Sequence, residues 1–144
     1  MSSGNERFNA EAATRDSNPD AHQASALALQ SILDHFPQLQ NHGRNGTAGL
    51  DMLEIGCGTG ILSFMIAPYV RSLTAVDTAQ GMIDAFRLKL ERQPEVKNVL
   101  PVCVMLEDPN DPRIRPDPLS DDSKIRNKLG FTPRRFDLVI SHLV

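Results

Sequence analysis

The sequence predicts an α/β protein built on a parallel sheet. Short apolar runs alternate with stretches of helical periodicity, which is the pattern of strand–helix–strand units. The first such run ends in Gly56-Cys57-Gly58-Thr59-Gly60, three glycines in five residues. The second run closes on an acid, Asp77. A strand, a glycine loop and a helix form the opening half of a βαβ unit.

Residues 1 to about 18 are polar and read as a flexible tail or lid segment, which leaves 19–144 as one domain. Asn18-Pro19 then signals a helix start, a capping residue followed by proline at the first helical position. Leu29, Ile32, Leu33 and Phe36 recur at helical spacing until Pro37 stops the run. Asn41 to Gly49 is a glycine- and asparagine-rich loop. Leu50 to Ile55 is the first strand, and Ile61 to Tyr69, almost continuously apolar, is a buried helix. Leu73 to Val76 forms the second strand. Met82, Ile83, Phe86 and Leu90 mark the next helix face, with Thr78 as its expected cap. Val99 to Met105 fits a third strand, in which Pro101 points to pairing that begins late or to an edge position. Residues 109–135 hold five prolines and many charges and read as a long surface excursion, with one short helix expected around Ser123 to Leu129. Phe136 to Ile140 is a fourth buried strand.

Composition narrows the function classes. The chain has 144 residues, 40% of them hydrophobic, with Lys+Arg 15 against Asp+Glu 18 and a net charge of −3. That balance lacks the basic excess of a nucleic-acid-binding surface, and 5% aromatics without tryptophan offer no platform for stacking bases. No run approaches the roughly 18 apolar residues of a membrane span. Met1 to Asn9 lacks the apolar stretch of a secretory signal. Cys57 and Cys103 show neither C-x-x-C spacing nor a disulfide framework, which suits a reducing compartment and makes cytoplasmic the expected location.

The glycine loop carries the chemistry. Residues without Cβ allow a tight strand-to-helix turn and close backbone approach to a ligand. The loop N–H groups and the start of the helix at Ile61 are expected to form an anion site. Asp77, seventeen residues after Gly60, sits where a carboxylate accepts hydrogen bonds from ribose hydroxyls. The spacing is G-x-G-x-G, whereas the dinucleotide fingerprint is G-x-G-x-x-G. The position of its last glycine is taken by Ile61, which weakens a nicotinamide-cofactor reading.

LDMLEIGCGTGILSF, followed by AVDTAQGMIDAF and FDLVISHLV, resembles the ordered motifs of class I S-adenosylmethionine-dependent methyltransferases of the small-molecule type. The resemblance runs from about Leu50 to Val144, and EAATRDSNPD resembles, less specifically, the lid that precedes the first helix in such enzymes. It implies a Rossmann-like, doubly wound three-layer α/β/α fold and S-adenosylmethionine as cofactor. Glu54 and the loop Gly56, Cys57, Gly58, Thr59 and Gly60 would hold the methionine end. Asp77, with Thr78 beside it, would take the ribose. Glu107 and Asp108 would lie near the adenine, and either side chain fits. Met82 reads first as a core methionine and second as a flank of the adenine. Cys57 is a small residue that suits the loop, with no visible cause for an activated thiol. His142 stands where the family places groups facing the transferable methyl, as a substrate-orienting or proton-accepting group or simply as a strand-end residue. His22, His35 and His42 have no metal-ligand spacing, so no metal is expected.

A complete doubly wound sheet of this kind needs more strands than four, so the sequence is expected to be a truncated product, an incomplete gene model or one part of a longer protein, with its C-terminal strands missing. Leu138 to Ile140 would then be an apolar edge through which the chain self-associates. The expected function is methyl transfer to a small molecule, without nucleic-acid or membrane partners. The alternatives are a fragment of a nicotinamide-dependent oxidoreductase and a non-catalytic remnant that binds the methyl donor.

Overall fold

The computed structural model describes residues 3–41, 49–119 and 136–142. Four strands, β1 (Asp51–Ile55), β2 (Ser72–Asp77), β3 (Val99–Cys103) and β4 (Leu138–Ser141), form one sheet in the order β3-β2-β1-β4. Every pairing is parallel: Leu53 lies opposite Thr74 and Val139, and Val76 opposite Val102. Between β1 and β4 the chain order reverses, and such a switch point opens a crevice at the carboxyl ends of the strands.

The helices are α1 (Ser3–Arg15), α2 (Pro19–His35), α3 (Ile61–Ile66) and α4 (Gln80–Glu91). On one face of the sheet Met52, Leu73, Ala75 and Val99 pack with Leu33 of α2, Ile66 of α3, and Ile83 and Phe86 of α4. On the other face Leu53, Val76 and Val102 pack against Val104 and Ile114, and Ile114 belongs to a single 3-10 turn, Pro112–Ile114. Burial on both faces explains why β1, β2 and β3 read as apolar runs rather than as alternating ones. β4, expected to be buried, is only partly so, with Val139 55% exposed, because it stands at the end of the strand order. The parallel α/β expectation is met.

Several boundaries differ from the sequence reading. Residues 3–15 are not an irregular tail: they form α1, which packs on α4 through Ala12, Ala79 and Met82. Its polar sequence hid it, because its buried contact runs through the small Ala12 and much of the rest is made by polar side chains such as Asn5 and Asn9. Asn18 caps α2 as expected, its side chain accepting from the Asp20 N–H. Thr78 does not cap α4. That position is Ala79, and the Asp77 carboxylate accepts from the Ala79 N–H instead. α3 ends at Ile66, followed by a 3-10 turn at Ala67–Tyr69. Pro101 sits mid-strand opposite Ala75, which is tolerated because β3 lies at the end of the strand order. The helix expected around 123–129, and His42, lie outside the described residues.

Candidate functional site

The ends of all four strands converge on one cavity of about 560 Å3, within the range of small-molecule sites. Ile55 and Gly56 follow from β1, Val76, Asp77 and Thr78 from β2, Val104 to Leu106 from β3, and His142 from β4. Phe8 and Arg15 of α1 complete the wall, with Gly58 and Met82.

The glycine loop takes its shape from its backbone. Gly56, Gly58 and Gly60 all have positive φ, at 77, 57 and 88°. The Gly56 and Cys57 N–H groups donate to the Val76 carbonyl at 2.8 and 3.0 Å. Gly60 N–H donates to the Cys57 carbonyl at 3.0 Å, and Gly58 N–H to the Asp77 carboxylate at 2.9 Å. Four of the five loop amides are thus already used inside the protein, and α3 has only six residues. This corrects the expected anion site: the loop is a scaffold, with its donors turned into the protein.

Asp77 fastens two loops at once. One oxygen accepts from Gly58 and the other from Ala79, both at 2.9 Å, and the group still borders the cavity. Its remaining lone pairs are available to a ligand hydroxyl.

Glu54 lies beneath the loop at 2% exposure and does not line the cavity. Both its oxygens are served by one donor, the Ser63 hydroxyl of α3, at 2.7 and 3.0 Å. Burial pushes its carboxyl from the usual 4.5 up to about 7; the Ser63 hydrogen bond opposes this, and the negative charge of Asp77 adds to it. The folded protein therefore holds a proton between these values that the unfolded chain has released. Stability contributed by Glu54 is fully present below pH 4.5, falls as the pH rises to about 7, and is level above that. The expected loss is on the order of 3 kcal/mol. Glu54→Gln keeps the shape and removes the titration. Urea unfolding at pH 5 and pH 8 should show a smaller drop for the variant than for the wild type.

Of the other sequence-derived site residues, Gly56, Gly58, Asp77, Thr78, Met82 and His142 meet at the cavity, while Cys57, Thr59 and Gly60 are buried behind it. The Cys57 thiol is pushed upward by burial and by the charges of Glu54 and Asp77, so it is no nucleophile. Met82 packs with Ala12 and Ala79, as expected of a core methionine, and also lines the cavity. Glu107 and Asp108 are exposed and absent from the wall, and Asp108 caps the Asn110 N–H. The residues after β3 that border the cavity are Val104, Met105 and Leu106. His142 is more telling: its Nε2 is buried and has no hydrogen-bond partner among the described residues. The sequence reading placed Arg15 in a lid-like segment and Phe8 in the polar stretch before it without assigning either to the cavity wall, because nothing in a polar N-terminal segment announces which strand ends it folds back over.

α1 is held over the site by polar contacts. Asn9 accepts from the Gly81 N–H at 2.7 Å, and Asn5 meets both the carbonyl and the hydroxyl of Thr78. Just past the helix, one Asp16 oxygen accepts from the Thr59 hydroxyl at 2.7 Å and from Lys89 Nζ at 3.0 Å.

A parallel sheet in the order 3-2-1-4, with a glycine loop and a strand-end acid at its switch point, is the architecture of doubly wound α/β proteins, whose ligands bind at such a crevice. Residues 52–113 match the family model for a methyltransferase domain. Malonyl-[acyl-carrier protein] O-methyltransferase from Brevibacillus brevis is 34% identical over 74 residues, covering 50% of this chain and 27% of that protein. The enzyme of the same name from Anoxybacillus flavithermus is 36% identical over 90 residues, covering 61% and 30%. The structure of the CcbJ methyltransferase from Streptomyces caelestis superposes with a TM-score of 0.51 at 23% identity, covering 91% of this chain and 41% of that one. Over these stretches the chain is similar to methyltransferase domains. It spans less than a third of the length of the curated relatives it matches.

Proposed function

We propose that the cavity binds S-adenosylmethionine and that the protein transfers its methyl group to a small-molecule acceptor. The observation that carries this reading is the convergence on one cavity of Asp77, the glycine loop and a buried, unpartnered His142 nitrogen. The wall fits the cofactor. Asp77 would receive the ribose hydroxyls, Gly56 and Gly58 would allow close approach of the methionine part, and Val104, Met105 and Leu106 would cover the adenine. When bound, S-adenosylmethionine supplies an activated methyl group on a cationic sulfur.

The protein's own part is positioning. Holding the acceptor in line with the transferable methyl is worth up to about 7–11 kcal/mol of the barrier in well-oriented systems. Phe8, Ile55 and Met82 give the site an apolar lining, which favours a step in which charge is dispersed. His142 Nε2 accepts the acceptor's proton where there is one to lose. A second reading, favoured by the names of the two O-methyltransferase relatives, is a carboxylate acceptor, which is already deprotonated and leaves His142 only to orient it.

Calorimetric titration with S-adenosylhomocysteine, using NAD as the control, tests the cofactor reading. Saturable binding of the former alone is expected, and equal or preferential binding of NAD would overturn it. With an acceptor in hand, His142→Gln should lower kcat by about 100-fold or more if the histidine takes a proton. It should leave kcat nearly unchanged for a carboxylate.

A further inference from the structure

We propose that Arg15 is the carboxylate-binding residue of this cavity, aimed into it by the junction of Asp16 with Thr59 and Lys89. The inference rests on the cofactor reading and gives a specific role to a residue of the lid-like N-terminal segment, outside the glycine-loop and strand-end motifs.

Among the described residues, Arg15 is the one permanent cation of the cavity wall. Its guanidinium has no hydrogen-bond or ion-pair partner among them. The side chain lies across Gly58, with Nε 3.2 Å from where a Cβ would stand, so the missing side chain at Gly58 makes room for the guanidinium. The loop cannot supply the anion's donors, because the Gly56, Cys57, Gly58 and Gly60 amides are already bonded. Asp77, the wall's acid, spends both oxygens on backbone N–H groups and repels a second carboxylate. A half-buried guanidinium offers paired donors in a plane that matches a carboxylate.

The next residue fixes the aim. Asp16 bridges Thr59 of the loop and Lys89 of α4 through one oxygen. Lys89 Nζ also stands 5.1 Å over the Phe64 ring. The chain is thereby anchored on two elements immediately beside Arg15, which limits where the guanidinium reaches. Asp16 is a positioning residue in this scheme.

The carboxylate has two possible sources, the methionine part of the cofactor or the acceptor. Three probes separate them: S-adenosylhomocysteine, 5′-methylthioadenosine (which keeps the nucleoside and thioether but has no amino-acid part), and malonate added to protein saturated with S-adenosylhomocysteine. If the cofactor is the source, Arg15→Met weakens S-adenosylhomocysteine by about 10- to 100-fold and leaves methylthioadenosine unchanged. If the acceptor is the source, the variant keeps both nucleosides and loses the malonate binding that the wild type shows. Arg15→Lys should recover part of whichever affinity is lost. Asp16→Ala should reduce the same affinity, and the Arg15→Met/Asp16→Ala double variant should bind no worse than Arg15→Met alone.

Equal weakening of S-adenosylhomocysteine and methylthioadenosine would overturn the proposal, since Arg15 would then only hold α1 in place. So would a variant that binds all three probes as the wild type does. A wild-type protein that binds methylthioadenosine but gains nothing from the amino-acid part, and binds no malonate, refutes the Arg15 assignment and leaves the cofactor reading standing. Binding of neither nucleoside removes both.

Discussion

Asp77→Ala is expected to lower S-adenosylhomocysteine affinity by at least a hundredfold and to cost stability even without a ligand. The carboxylate is the shared acceptor for Gly58 and Ala79, so it ties the β1–α3 loop to the start of α4. Hydrogen bonds to a charged group contribute about 1.5–3 kcal/mol each, and partial exposure of Asp77 favours the lower end. Two of them put the expected loss of unfolding free energy near 3 kcal/mol. Alanine also leaves the N–H of buried Gly58 without an acceptor, which lets the loop relax away from the ribose position. Asp77→Asn separates the two roles. Its amide oxygen still serves one of the two N–H groups, but its NH2 opposes the other, so a loss between wild type and alanine is expected in both urea midpoint and calorimetric affinity. Wild-type affinity in the alanine variant would remove Asp77 from the site.

The sheet was legible because β1 to β3 are buried on both faces or joined to an obvious breaker, whereas β4 was legible by its apolar composition alone. Leu50 to Ile55, ending in glycines, has few alternatives as a strand. The end of β2 at Asp77 is equally plain, because an acid closing an apolar run marks the point where the chain leaves the core. Boundaries were less legible where a side chain reached past its own element. Thr78 is the better capping residue by type, yet the N-cap position falls on Ala79, whose N–H is held by Asp77 in a local turn, and no side chain caps α4.

The site was legible only where a motif lies in sequence around a strand end. Glu54 carries a motif signature, but the strand's alternation sends it under the loop to Ser63 rather than into the cavity. Glu107 and Asp108 are polar and follow β3, which made them attractive. The structure instead brings Val104, Met105 and Leu106 to the wall, since the turn into the excursion carries the acids outward. Arg15 and Phe8 depend on a contact across the chain between α1 and α4, made by asparagines and small residues. Such contacts leave no hydrophobic period in the sequence.

Gly60→Ala is expected to be the most destabilising single change in the loop, lowering Tm by roughly 10–20 °C. Its φ of 88° lies in the left-handed region, where a residue with a Cβ costs about 1–2 kcal/mol. The added Cβ would also stand 2.5–2.7 Å from three carbons of the Phe86 ring. That ring cannot yield easily. It is fully buried, it packs against Phe64 at 5.5 Å between centroids, and Lys89 covers Phe64 from the other side while holding Asp16. Overpacking of this kind costs about 1–3 kcal/mol more. The sum is a large part of the roughly 5–15 kcal/mol that holds a domain together. The two causes separate in a cycle with Phe86→Leu, which shortens the ring side of the clash but leaves the backbone angle untouched. The double variant should be more stable than the sum of the two single losses predicts, by about the packing share and no more. A Gly60→Ala protein that melts with the wild type would mean that the loop does not press on Phe86. Full recovery in the double variant would mean that the left-handed angle costs nothing here. Both results would contradict the geometry that sets Gly58 under Arg15 and Asp77 at the loop's edge.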